Sequence, residues 1–137
     1  MNFVIPNDNL DKQDCPLVVL KCSDWRFRIS DQEFVEKGLG YVDFDLFSWP
    51  DGGKEILKQN GFKTAVVEKI ISFSRGKHNI KKLLVIWHIE DLSDEQKLVQ
   101  DLQAAKNILA KELPGDLEII LTYSKNTPHG LEYITLE

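Results

Sequence analysis

Two short aliphatic runs, Leu17–Leu20 and Leu83–Trp87, set the strongest constraint on how this chain can fold. Both are uninterrupted rather than alternating, the pattern of strands buried on two faces in a sheet that helices cover. The first lies in Pro16-Leu-Val-Val-Leu-Lys-Cys22 and the second in Lys82-Leu-Leu-Val-Ile-Trp-His88. Elsewhere the period is helical. Ile56, Leu57, Ala65, Val66, Ile70 and Phe73 recur at that spacing, with Asn60-Gly61 expected to break the stretch in two. Leu98, Leu102, Ala105 and Leu109 form one stripe of a further helix that ends before Pro114-Gly115. Capping boxes at Ser30-Asp-Gln-Glu33 and Ser93-Asp-Glu-Gln96 predict helix starts, the first helix running through about Lys37. Tyr41–Phe47 suits a less completely buried strand, and Trp49-Pro-Asp-Gly-Gly53 is loop chemistry. Leu117–Tyr123 and Leu131–Leu136 are further strands, joined by a polar turn. The order predicts an α/β fold: a central, mostly parallel sheet of four strands plus an antiparallel C-terminal edge strand, flanked by helices.

At 137 residues the chain reads as one domain, 1–137, with polar residues 1–14 as an arm or loosely held extension. Hydrophobic residues at 42% and charged residues at 28% exclude wholesale disorder. Twenty-two acids against seventeen bases, with no Lys/Arg-rich face, argue against a nucleic-acid partner. Neither apolar run approaches the ~18–20 residues that span a bilayer. The first residues lack the basic start and apolar stretch of a signal peptide, so no membrane and a cytoplasmic setting are expected. Cys15 and Cys22 are then read as reduced thiols.

Ligands of open α/β sheets bind beyond the carboxyl ends of the strands. Here one strand ends in Cys22-Ser-Asp24-Trp-Arg26 and the other in His88-Ile-Glu90-Asp91. If those strands are parallel neighbours, a thiol, an imidazole and up to three carboxylates meet at one rim. These are ligand types that zinc accepts, at ~2.3 Å for sulfur and ~2.0–2.2 Å for nitrogen or oxygen. Each residue also has a plain structural role open to it. Cys22 can be a small buried hydrophobe, His88 a satisfied core residue, Asp24 and Arg26 an ion pair, and Asp91 a helix cap. His78, in a basic segment read as a solvated connection, His129 in a turn and Cys15 are given no role.

Cys22-x-Asp24-x-Arg26 at the end of the first strand resembles the signature of β-class carbonic anhydrases. In that family a Gly-Gly loop, a helix and a strand ending in His-x-x-Cys follow. Gly52-Gly53, residues 54–74 and KKLLVIWHIED stand at those places, and the tail LEIILTYSKNTPHGLEYITL looks like the family's last strands. The likeness covers about Pro16 to Glu137 and is nearest to the short carbonic-anhydrase-like proteins of bacteria. The second cysteine is Asp91 here, the glycine after it Leu92, the glycine before the histidine Trp87, and Trp49-Pro50-Asp51 replaces the polar residues before Gly-Gly. The resemblance implies Zn²⁺ held by Cys22, His88 and, as a substitute ligand, Asp91. It further implies Asp24 accepting a hydrogen bond from a zinc-bound hydroxide, and Arg26 holding Asp24.

Three functions follow. The leading one is a β-carbonic-anhydrase-like zinc protein hydrating carbon dioxide to bicarbonate, in a homodimer or higher homo-oligomer as the family implies. Phe44, Phe47 and Trp49 are either its interface or part of this domain's own core. The alternative is a catalytically inactive relative serving as a binding or interaction module. The third is a hydrolase with Cys22 as nucleophile, disfavoured because Asp24 opposes thiolate formation.

Overall fold

The computed structural model of this protein describes residues 1–58 and 61–137. Its strands are β1 (Leu17–Cys22), β2 (Phe44–Trp49), β3 (Lys82–Ile89), β4 (Glu118–Thr127) and β5 (Gly130–Thr135). Its helices are α1 (Arg28–Glu33), α2 (Gly61–Lys69), α3 (Gly76–His78) and α4 (Glu95–Glu112). The strands make one five-stranded sheet in the order β2-β1-β3-β4-β5. β1 pairs parallel with β2 and β3, β3 pairs parallel with β4, and β4 pairs antiparallel with β5. This is the architecture that the two aliphatic runs demand.

Because successive strand side chains point to opposite faces, each run feeds two cores. Val18, Leu20, Leu83, Val85, Trp87, Ile89 and Leu121 belong to the larger core. There α4 lays down Leu98, Leu102, Ala105 and Leu109, and Val66, Val67 and Ile70 come from α2 and the turn after it. Leu17, Val19, Leu84, Ile86 and Val35 make a smaller core on the other face, beneath α1 and the wide helical turn Phe34–Gly38. Each fully buried side chain of this kind contributes ~1.5–3 kcal/mol, enough to fix helices that would be marginal alone. Phe47 and Trp49 pack against the larger core and Phe44 against the smaller, leaving Leu46 as the exposed apolar residue of edge strand β2.

Local expectations moved where a better cap or register was at hand. The capping box at Ser30 is not used: helical geometry begins upstream, in a tight turn over Trp25–Phe27. Asp24 caps that turn, accepting the Arg26 backbone N–H at 3.0 Å. Asp31 is thereby freed to turn inward. Asp91 likewise caps a turn over Leu92–Asp94, and α4 starts after it at Glu95 rather than at Ser93. β2 begins at Phe44, where Leu17 of β1 sets its register, and runs on to Trp49. The stretch read as a helix from Lys54 is a tight helical segment Pro50–Leu57, then α2, a wide turn Ile70–Arg75 and α3. Of the break expected at Asn60-Gly61, Asn60 lies outside the described residues. His78 is not in a solvated connection: it ends α3, and its Nδ1 meets Asp45 Oδ2 at 2.7 Å. The exposed arm is tethered where Lys12 pairs with Asp43 at 3.1 Å and Cys15 N–H donates to the His78 carbonyl at 2.8 Å.

The Gly-Gly loop is fixed by sterics. Asp51, Gly52 and Gly53 all have left-handed backbone, with φ of 56°, 64° and 81°. A Cβ on Gly52 would lie 2.7 Å from Trp87 Cδ1 and 2.8 Å from the Ile86 carbonyl, and Trp87 Nε1–H donates to the Gly52 carbonyl at 2.9 Å. Gly52→Ala should therefore cost about 2–4 kcal/mol in urea unfolding, combining left-handed strain with overpacking. Ser74 provides the contrast. Its hydroxyl is buried with no hydrogen-bond partner among the described residues, so Ser74→Ala should be neutral or stabilising by about 1 kcal/mol in the same measurement.

Candidate functional site

The carboxyl ends of β1 and β3 open into a cleft of about 550 Å³. Cys22, Asp24, His88 and Asp91 all line it, with Phe27 and Trp87 supplying apolar wall. Six carboxylates (Asp24, Asp51, Glu90, Asp91, Asp94 and Asp101) face two lysines, Lys54 and Lys97, around it. Three of the acids meet cations, Asp101 through Lys97 at 2.9 Å and Asp24 and Glu90 through the one guanidinium of Arg26, so the remaining potential is negative.

Asp24 and Arg26 stand together as an ion pair. The guanidinium grips the carboxylate through Nη2 at 2.6 Å and Nε at 3.0 and 3.1 Å, and reaches Glu90 at 3.4 Å. Hydrogen bonds from the Arg26 side chain, then from its backbone N–H, pull the Asp24 carboxyl down to about 2. Cys22 ends β1, half-buried, with its Sγ accepting the Asp24 backbone N–H at 3.4 Å.

His88 is buried, and both ring nitrogens are engaged. Nδ1 contacts Ser124 Oγ, and Nε2 lies 3.0 Å from Asp31 Oδ2. Phe27 stacks on the imidazole with centroids 3.7 Å apart. Asp31 also takes Lys21 Nζ at 2.9 Å and the Tyr133 hydroxyl. Burial pushes the Asp31 carboxyl up, but hydrogen bonds from His88, Lys21 and Tyr133 and the His88 charge outweigh it, and the net shift is downward. Burial, then the bond to Asp31, pushes the Tyr133 phenol up.

These positions decide how the residues expected to hold zinc stand to one another. By strand alternation Cys22 follows Val18 and Leu20 toward the larger core's face, whereas His88 follows Leu84 and Ile86 toward the smaller one. Asp91 is spent as a helix cap, accepting Ser93 N–H at 3.0 Å and Ser93 Oγ–H at 2.9 Å, bonds that lower its pKa. Among the described residues no three His, Cys, Asp or Glu side chains gather into a group able to hold a metal ion. The donors as arranged do not fit zinc: the imidazole has no free nitrogen, and the carboxylate meant to replace the second thiolate has other work.

No family profile matches the sequence, and a search of curated proteins finds no relative. Solved structures do match. A β-carbonic anhydrase, isoform I, from the protozoan Trichomonas vaginalis superposes with a TM-score of 0.57 at 9% identity, covering 97% of this chain and 87% of that one. A carbonic anhydrase from Streptococcus mutans superposes with a TM-score of 0.54 at 11% identity, covering 90% and 83%. The chain has the fold of a β-carbonic anhydrase. At these identities the likeness is one of fold, and it extends across nearly the whole chain. At the rim Asp24 and Arg26 are paired beside Cys22, while His88 bonds to Ser124 and Asp31, and Asp31 in turn to Lys21 and Tyr133, four residues that the sequence alone did not single out. Lys21 was the one visible signal, a lone charge inside a strand otherwise fully apolar up to Cys22.

The Asp24–Arg26 pair is open to titration. Its folded pKa lies below the ordinary 3.8, so the stability it gives is fully present above that value and is lost as the pH falls through about 2. Carboxyl ¹³C shifts should place the Asp24 midpoint near 2, moving up toward 3.8 in Arg26→Gln.

Proposed function

We propose that this protein is a carbonic-anhydrase-like binding module without hydratase activity, using the cleft at the strand ends to hold a small neutral or cationic ligand. The observation that carries it is the engagement of both His88 nitrogens by Ser124 and Asp31. An imidazole ligates a metal only through a ring nitrogen free of its proton and of other bonds. The cleft's charge supports the same reading: carboxylates outnumber lysines on its wall, which disfavours bicarbonate and other anions. The free thiols of Cys15 and Cys22 support an intracellular, cytoplasmic setting. The exposed Leu46 on edge strand β2 supports pairing of two copies along that edge.

A second reading, a zinc-dependent hydratase of carbon dioxide, is favoured by one observation: Cys22, Asp24, His88 and Asp91 share a single cleft. It requires His88 to leave its buried partners and turn toward Cys22. Elemental analysis and stopped-flow carbon dioxide hydration separate the two. The binding-module reading expects zinc far below one per chain and hydration no faster than a Cys22→Ala variant. Stoichiometric zinc that is lost in His88→Ala, with hydration above that variant, would overturn it. Light scattering is expected to give twice the mass of one chain.

A further inference from the structure

A carboxylate removed from water survives only when paired and hydrogen-bonded. Asp31, on α1, is 1% exposed and draws its partners from the sheet beneath it. Lys21 of β1 reaches it at 2.9 Å, His88 of β3 at 3.0 Å, and Tyr133 of β5 through its hydroxyl. The imidazole passes the connection on to Ser124 of β4. One helix is thus tied through a single side chain to three strands, and by way of His88 to a fourth. A carboxylate only accepts, so His88 Nε2 carries a proton whatever the charge of the ring. Nδ1 then either accepts from the Ser124 hydroxyl or donates to it. The order Ser124–His88–Asp31 has the connectivity of a nucleophilic triad, but Ser124 is wholly buried and forms no part of the cleft wall, so no substrate reaches it.

We infer that His88 is a positioning residue in a metal-independent polar lock, which clamps α1 to the sheet and keeps both ring nitrogens from any guest in the cleft. The inference rests on the reading that the chain has no preformed zinc centre, and goes further: it assigns the imidazole another task. Removing one partner of such a buried group leaves the others unpaired, so the members are coupled in stability. Phe27, stacked on the ring, holds the imidazole plane and brings the Asp24–Arg26 turn into the same rigid unit.

The test uses the full-length, ¹⁵N-labelled protein. Long-range ¹H–¹⁵N spectra should show His88 with a protonated Nε2, unchanged by EDTA and by one equivalent of zinc sulfate. In a double-mutant cycle, Asp31→Asn and His88→Gln should couple by about tenfold in the folding equilibrium constant. Should Asp31→Asn fail to fold, Ser124→Ala and Tyr133→Phe each remove one contact; each should shift the His88 resonances and couple with His88→Gln by at least about threefold. If EDTA or zinc moves the His88 signals of the native chain, the lock and the metal-free reading both fall. If the metal has no effect but His88→Gln melts with the native chain and shows no coupling, the lock alone falls.

Discussion

Strand β3 is hydrogen-bonded along both edges and covered on both faces, with every residue from Leu83 to Ile89 buried. No other strand of the sheet combines two parallel neighbours with such a length of buried side chains. Its alternation sends Trp87 into one core and His88 toward the other. Two neighbours in sequence therefore serve different halves of the molecule. Trp87 props the Gly52 loop through its indole N–H, while His88 anchors the helix that begins beside Asp24.

The same imidazole cannot serve both a metal and a buried carboxylate on one nitrogen, and here the carboxylate has it. Asp31 is wholly buried, and an ionised group in that position is held by three hydrogen-bonding partners. Withdrawing any one of them would cost on the order of 3–5 kcal/mol if the charge were left uncompensated. A zinc ion recruiting His88 would have to offset that loss before gaining anything from its own bonds. Substituting Asp91 for a thiolate does not help. A carboxylate at the start of a helix finds backbone N–H and hydroxyl donors at once, and takes them.

The sheet was legible in the sequence because hydrophobic period reports burial directly, and the two aliphatic runs fall on the two strands that the layers cover most fully. The ends of helices were less legible. Ser30 and Ser93 each offered a capping box, yet Asp24 and Asp91 cap earlier turns, since an aspartate two residues before a donor competes well with a serine further on. At the candidate site, sequence order revealed which residues line the cleft and concealed which ones bond. Cys22 ends β1 and His88 lies one residue short of the end of β3, but the parity of their positions, counted from Leu17 and Lys82 in register, separates their faces. Asp31, Ser124 and Tyr133 are scattered over the chain, and only the topology that brings α1 over β3, β4 and β5 collects them.

The left-handed turn at Asp51–Gly53 gives the cleft a particular temper. One side of the opening is built on this turn, which neighbouring atoms hold in place: an indole is bonded to the Gly52 carbonyl, and the Lys54 ammonium lies 5.6 Å from the centre of that ring. Such a wall gives up little freedom when a guest arrives, so little entropy is lost there on binding. Discrimination then falls to shape and to the acids opposite. A molecule even slightly too broad should be turned away, while a well-sized one finds a seat already prepared.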